Sequence, residues 1–418
     1  PGMANSNALS SPIIAYLAPE IPSLSGTFVY GEIFALQRQN ITIIPFSIHR
    51  KIPAQPDALL QQLAEQTYFL YERSLVSVIQ DNLHNFSRHP LRYLRVFFRT
   101  LGDMIKVGLF NTSAVKLFYQ FLQGNALARQ LIEKRCQHLH IHFASVPTQV
   151  GMYGAQFAQI PFSFTSHAND LFERGGLLPE KLARCQFAVT ISDYNDQFLQ
   201  QRSPLAHKVK VIHCGVNLED FSFQQKQTWQ QPILIKSLGR FVEKKGFDTL
   251  ILAASRLQQQ GIEFRLEIGG DGPEKAQLQH LITEHQLTSV ITLVGSLPHP
   301  QVLPWLREAD LFVLACKVDQ QGDQDGIPVV LMEAMAAGIP VISTALSGIP
   351  ELIEDGVTGF LAQPNDVSSL AVTLETAFQS GEKIAQITQA ARLKIEQDFN
   401  LEKNAQRLLE LITNPATP

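Results

Sequence analysis

"LFVLACKVDQQGDQDGIPVVLMEAMAAGIPVIST", residues 311–344, carries the pattern from which the fold follows. A run that is apolar on both faces, 311–316, leads into a polar loop. Pro328 comes next, and its fixed φ and missing N–H suit a first helical position. An apolar helix then runs over 328–337, Gly338 stands where a helix C-terminal glycine belongs, and a second apolar run follows at 340–344. Strands without polar alternation, separated by a helix, predict a parallel sheet covered on both sides.

The alternation extends along most of the chain. Segments 12–18, 41–48, 138–145, 161–167, 187–192 and 209–216 read as strands of a first half, and 233–240, 264–270, 291–296, 311–316, 340–344 and 359–364 as strands of a second. Helices are expected at 246–260, 273–287, 328–337 and 366–379. At 418 residues the chain exceeds what one core usually supports. Two doubly wound α/β domains of Rossmann-like type are therefore expected: 12–221, then a Gln-rich linker at 222–231, then 232–397, with a last helical segment at 398–418 returning to the first domain. Ligands of such sheets bind at the carboxyl ends of strands, and two facing sheets would share one cleft.

Composition excludes several classes. Charged residues make up 17% of the chain and the net charge is −4, so nothing points to nucleic acid. Cys136, Cys185, Cys214 and Cys316 are scattered without a CxxC and read as reduced thiols of an intracellular protein. The opening "PGM" has the look of an expression remnant, the polar residues 4–12 are not expected to form a leader, and no window approaches ~18 uncharged apolar residues.

Candidate chemistry gathers at the strand ends. Asp325 lies in the loop and Glu333 about a turn and a half into the helix, its side chain leaning back toward the helix start. Carboxylates there suit sugar hydroxyls, since one acceptor group takes two donors. The amides around Gly326 and Ile327, ahead of Pro328, offer an anion site, and "STALSGIPELIEDG" (343–356) repeats the arrangement with Ser347, Gly348 and Ile349. Asp323 and Asp325 also form a DxD pair, but nothing nearby adds oxygen ligands for a metal. In "KSLGRFVEKKGFDTL" (236–250), a strand ends at Gly239, Arg240 follows, and Lys245 precedes a helix opened by Gly246. A guanidinium fork and an ammonium there can hold a diphosphate, although a solvated basic loop is the plainer reading. Gly270 and Gly272 mark a tight turn or close backbone approach to a nucleotide, and Leu297 either lines a base pocket or sits in a plain loop.

In the first half, Ser25, Gly26 and Thr27 follow the first strand, and His167 and Asp170 lie just beyond another. His138, His140 and His142 share a strand face and invite a metal reading, which the lack of a fourth ligand disfavours. Residues 84–135 are helical, basic and aromatic, with Arg88, Arg92, Arg95 and Arg99 at helical spacing beside Leu91, Leu94, Phe97 and Phe98. They read as a helical pair on the first sheet or as a face resting on anionic lipid.

Taken together, "GRFVEKKGFDTLI" (239–251), "GDGPEKAQL" (270–278), "DGIPVVLMEAMAAGIPVIST" (325–344) and "SGIPELIEDGVTGFL" (347–361) resemble the retaining GT-B glycosyltransferases of family 4, group 1. "FTSHANDLF" (164–172), "VTISDYN" (189–195) and "VIHCGVN" (211–217) resemble their bacterial exopolysaccharide branch. The resemblance implies a cytoplasmic enzyme, peripheral on the inner face of the plasma membrane, that needs no metal or other cofactor. It would transfer a sugar with retention from a nucleotide-diphosphate sugar to a saccharide or lipid-linked saccharide. Its E-x7-E signature falls on Asp325 and Glu333, with Asp in the first place; Asp325 would hold the donor sugar and Glu333 the ribose. Arg240 and Lys245 match the diphosphate pair, with Lys244 the weaker match, His167 the histidine near the transferred sugar, and Gly26 the loop glycine near the phosphate. Gly239, Gly270, Gly272, Leu297, Gly326, Ile327, Pro328 and Thr27 would line the donor, with Asp170 on the acceptor side. A transferase for small soluble acceptors and a catalytically silent sugar-nucleotide or polysaccharide binder remain the alternatives.

Overall fold

The computed structural model describes residues 11–22, 27–51, 56–167, 170 and 176–414. Two compact units emerge, the first comprising Pro1–Thr190, Leu199–Ile212 and Ala405–Pro418, the second Ile191–Phe198 and His213–Asn404.

The first unit is built on strands β1 (Ile13–Glu20), β2 (Thr42–His49), β3 (Tyr68–Phe69), β4 (His138–His142), β5 (Phe162–Ser166), β6 (Phe187–Thr190) and β7 (Val209–Val211). They pair in the order β3-β2-β1-β4-β5-β6-β7, all parallel. Residues 14–18 of β1 are fully buried, as a strand apolar on both faces must be when helices cover both sides. The strand order reverses between β1 and β4, which opens a crevice at their carboxyl ends. Register places His140 beside Ser163 and His142 beside Thr165.

Instead of the expected helical pair, residues 75–133 form three helices, Leu75–Arg88, Pro90–Val107 and Thr112–Glu133. Pro90 starts the second at its N1 position and Gly108 ends it with φ of 98°.

The second unit carries β8 (Ile233–Leu238), β9 (Phe264–Gly269), β10 (Ile291–Gly295), β11 (Leu311–Val313), β12 (Val341–Thr344) and β13 (Phe360–Ala362). Their order is β10-β9-β8-β11-β12-β13, again parallel, and reverses between β8 and β11. The helix after β11 spans Val329–Ala337, so Pro328 is its N-cap rather than its first residue, and Gly338 closes it in the left-handed conformation. Segment 222–231 lies against this unit: the Gln224 N–H donates to the Ala337 carbonyl and Trp229 Nε1 to that of Ala377.

The loops leaving β8 and β11 meet at Gly246. Its φ is +69°, and a Cβ there would stand 1.6 Å from the Ala315 carbonyl oxygen. Both the left-handed backbone and the contact demand glycine. Gly246→Ala should cost roughly 3 kcal/mol or more of stability, read as a lowered urea midpoint with an unchanged slope.

Candidate active site

At the carboxyl end of β8, Gly239 and Arg240 lead into a 3₁₀ turn, Glu243–Lys245. The loop after β11 folds onto this turn through charge. Lys245 Nζ lies 2.5 Å from Asp325 Oδ2, and Lys244 Nζ lies 3.0 Å from Asp323 Oδ2 and 3.3 Å from Asp325 Oδ1. Nearby, Lys317 Nζ pairs with Asp248 at 2.8 Å and the Lys317 N–H donates to the Lys244 carbonyl. Burial alone would push the Asp325 carboxyl up, but the two ammonium groups outweigh it and hold it below the ordinary aspartate value. Burial lowers Lys244 and its two aspartates more than compensate, leaving it raised. Asp323 and Asp325 thus face ammonium groups, which physically opposes the DxD metal reading.

Arg240 differs from its neighbours. It is exposed, and no described residue accepts from its guanidinium. The aliphatic part of Lys245 flanks Gly239, where a Cβ would sit 3.6 Å from Lys245 Cδ, so the two cationic side chains leave one strand end. Glu333 has no described partner for its carboxylate, and burial pushes its pKa up to about 7.

Hydrogen bonds join the glycine-bearing strand ends: Gly239 N–H to the Gly269 carbonyl, Gly270 N–H to that of Gly295, and Phe241 N–H to that of Asp271. Gly270, with φ of +133°, leaves no room for a side chain, since a Cβ would lie 1.9 Å from the Gly239 oxygen. Packing between loops therefore accounts for Gly270, and the Phe241 backbone crowds Gly272 likewise. Leu297 packs over Gly269 with Trp305.

The two Gly-Ile-Pro turns touch, as a Cβ on Gly348 would come within 2.8 Å of Ile327 Cγ1. The second is a poorer anion site than its sequence suggests. Its helix is only Ile349–Leu352, and the Ile349 N–H already donates to the Leu346 carbonyl. The buried Ser347 hydroxyl has no partner among the described residues. Sequence reasoning gave no role to Glu351, whose carboxylate accepts from the Asp193 N–H at 2.7 Å and the Tyr194 N–H at 3.2 Å and pairs with His213 Nε2 at 3.0 Å. Its signal lay in the quoted motifs "VTISDYN", "VIHCGVN" and "SGIPELIEDG".

In the first unit, His167 sits just beyond β5. Its N–H donates to Asp170 Oδ1 at 2.9 Å, and Asp170 Oδ2 also takes the Ala144 N–H at 2.8 Å. Asp170 is buried and clips two backbone segments. Thr27 opens the helix Thr27–Arg38, and Gly26 lies outside the described residues. The buried β4 histidines bind hydroxyls: His138 Nε2 and His140 Nδ1 share Ser163 Oγ at 2.7 Å each, and His140 Nε2 meets Thr165 Oγ1 at 2.9 Å. Among the described residues, two groups have ligand atoms within 4.8 Å of one another, Glu32 with His140 and His142, and Asp193 with His213 and Glu351. In the first, both ring nitrogens of each histidine already carry hydrogen bonds, so a cation would have to displace them.

Known proteins share the sequence pattern and the fold. The model of "Glycosyl transferases group 1" matches residues 219–394 and that of "Glycosyltransferase Family 4" residues 85–220. The chain belongs to this glycosyltransferase family. It is 40% identical over 207 residues to the amylovoran biosynthesis glycosyltransferase AmsK of Erwinia amylovora, covering 50% of this chain and 51% of that protein. To WcaL of Escherichia coli, a candidate colanic acid biosynthesis glycosyltransferase, it is 37% identical over 250 residues, covering 60% of this chain and 59% of that protein. The match thus spans between half and three-fifths of these relatives. A glycosyltransferase structure from Rickettsia africae superposes with a TM-score of 0.70 at 17% identity, covering 97% of this chain and 98% of that one. Anabaena HepE in complex with UDP gives 0.69 at 17%, covering 96% and 99%. The fold is the GT-B type that the sequence resemblance implied.

Glu333 leaves a signature in stability. A carboxyl raised from 4.5 to about 7 holds its proton longer in the folded chain than in the unfolded one. Stability is therefore fullest below pH 4.5 and falls as pH rises through 7, by about 3 kcal/mol. Glu333→Gln should be more stable than wild type at pH 8 and equal to it near pH 4.5 in urea unfolding.

Proposed function

We propose that this chain is a retaining glycosyltransferase that moves a sugar from a nucleotide-diphosphate sugar to a saccharide or lipid-linked saccharide in the synthesis of a cell-surface polysaccharide. The observation that carries the reading is the exposed guanidinium of Arg240 beside Lys245 at a strand end of the second unit, where the strand order reverses. Arg240 offers two parallel donors to a diphosphate and Lys245 a point charge. Asp325, already ionised, accepts from donor-sugar hydroxyls, and Glu333 from the ribose, whose hydroxyls would draw off its proton on binding. The naming of AmsK and WcaL for exopolysaccharide synthesis supports the substrate class, and the HepE complex with UDP makes uridine a base to try first.

Chemistry follows from charge. As the glycosidic C–O bond to the diphosphate breaks, negative charge grows on the leaving oxygens, and Arg240, Lys245 and the amides of Gly326 and Ile327 stabilise it. The acceptor hydroxyl attacks from the same face and passes its proton to the departing phosphate. These cations take the part that a divalent ion plays elsewhere, so no metal is required. Arg240→Ala should weaken nucleotide-diphosphate binding at least tenfold in calorimetric titrations with UDP, GDP and ADP, and EDTA should leave wild-type affinity unchanged. Unaltered affinity in the variant would remove the clamp.

The acceptor side favours a lipid surface. On helix Pro90–Val107, Val96, Thr100 and Asp103 face inward, while Leu91, Leu94, Phe98 and Ile105 are exposed beside Arg88, Arg95 and Arg99. Phe110 stands fully exposed. Arg92 turns inward instead, donating to the Phe157 carbonyl at 3.3 Å. The acids of this region, Asp81 and Asp103, are buried and held by Arg73 and Arg129, and by Arg184. What remains outside is apolar and cationic, the composition that partitions onto anionic bilayers. No described helix is long and apolar enough to cross a membrane, so contact would be peripheral, on the cytoplasmic face. Arg95→Glu with Arg99→Glu should lower partition onto anionic vesicles roughly tenfold or more in sedimentation assays. Equal partition would favour a soluble acceptor.

A further inference from the structure

Lys245 and Asp325 hold each other. Lys245 Nζ lies 2.5 Å from Asp325 Oδ2, while Lys244 Nζ reaches Asp325 Oδ1 at 3.3 Å and Asp323 Oδ2 at 3.0 Å. All four side chains are largely buried, with 15 to 20% of their surface exposed. Two ammonium and two carboxylate groups make a set of zero net charge. Both groups that a nucleotide-diphosphate sugar would use, the Lys245 cation and the Asp325 oxygens, are therefore engaged with partners in the protein itself.

The two lysines are held differently. Lys244 bridges both aspartates, and its carbonyl accepts from the N–H of Lys317, whose ammonium pairs with Asp248 at 2.8 Å. The Gln320 N–H donates to Glu243 Oε2 at 3.3 Å, so the loop after β11 is fastened to the turn around Lys244 at several points. Among the described residues Lys245 has one ion-pair partner, Asp325, and its stem lies beside Gly239, the strand end that Arg240 follows. An ammonium on a flexible four-carbon stem changes partners by side-chain rotation, and a diphosphate at Arg240 carries more charge than one carboxylate. A buried carboxylate left without any cation is unfavourable. Burial does push the Asp325 carboxyl up, with Lys245 and then Lys244 outweighing it.

We propose that Lys245 exchanges Asp325 for the diphosphate when a nucleotide binds, and that Lys244 is a positioning residue that stays on Asp325 as its counter-ion. The inference rests on the reading that Arg240 and Lys245 hold the diphosphate. It gives Lys244, the weaker match to the diphosphate pair, a task of its own, and gives Asp323 the task of holding Lys244 in place. The exchange frees Asp325 Oδ2 to accept from hydroxyls of the attached sugar. Sugar recognition thereby follows diphosphate recognition, because a free monosaccharide meets a carboxylate whose two oxygens are both taken. By linkage, the attached sugar in turn favours the state in which Lys245 is on the diphosphate.

Calorimetric titrations of the full chain with UDP, GDP and ADP test the exchange. Asp325→Asn removes the charge that competes for Lys245, so the nucleotide that binds wild type should bind this variant about threefold or more tighter. Lys244→Met leaves Lys245 as the only cation beside Asp325, so the same nucleotide should bind about tenfold more weakly, and Lys244→Arg should restore wild-type affinity. A crystal structure of the wild-type chain with that nucleotide needs no variant. It should show Lys245 Nζ on a phosphate oxygen and Lys244 still between Asp323 and Asp325. Lys245 found on Asp325 in that complex, or Lys244 found on the phosphate, would overturn the exchange whether or not the variants fold. Asp325→Asn binding no tighter than wild type would overturn the competition. The transferase reading fails separately, when Arg240→Ala leaves nucleotide affinity intact; if Arg240→Ala weakens binding while Asp325→Asn does not strengthen it, the exchange alone falls.

Discussion

The ammonium–carboxylate contacts between the loops after β8 and β11 are the constraint on which the second unit's site depends. Lys244 and Lys245 on one loop, Asp323 and Asp325 on the other, lie within 2.5 to 3.3 Å, and Gly246 lets the two backbones meet. Opposite charges brought together in a partly buried place offset the cost of desolvating each other and fix the loops. Arg240 stays outside this set, so its positive charge remains available to a ligand. Glu333 also stays outside it, and its raised pKa records the cost of burying a carboxylate that has no partner among the described residues. The second unit thus sets paired charges, which join its loops, beside Arg240 and Glu333, which lie outside that pairing.

The first unit solves a similar problem with neutral groups. Three histidines on one strand face could have been a metal centre, yet Ser163 and Thr165 on the adjacent strand stand in register to engage His138 and His140. His140 is satisfied at both ring nitrogens without charge, whereas His138 Nδ1 has no partner among the described residues. His142 alone continues outward, to Glu32 on one side and His167 on the other.

Away from these crevices, the helices of residues 75–107 turn both their acids inward and leave apolar and cationic side chains outside. This inverts the usual amphipathic pattern of a soluble domain, whose polar face meets water.

Local, periodic features were legible in the sequence by itself. Runs apolar on both faces gave the parallel α/β class and the positions of all strands among the described residues except β3. That strand, Tyr68–Phe69, pairs at only two positions, too few for a period to show. Gly338 and the approximate spans of the helices expected at 246–260, 328–337 and 366–379 also followed from local chemistry. Tertiary structure decided the partners of the charged groups at the strand ends. Lys245 meets Asp325 across 80 residues, Asp170 turns to two backbone amides, Arg92 turns inward, and Asp323 faces an ammonium where a metal pair was conceivable. The physical reason is range: backbone periodicity is set by neighbours a few residues away, whereas the protonation and orientation of a side chain depend on groups that only folding brings within hydrogen-bond distance.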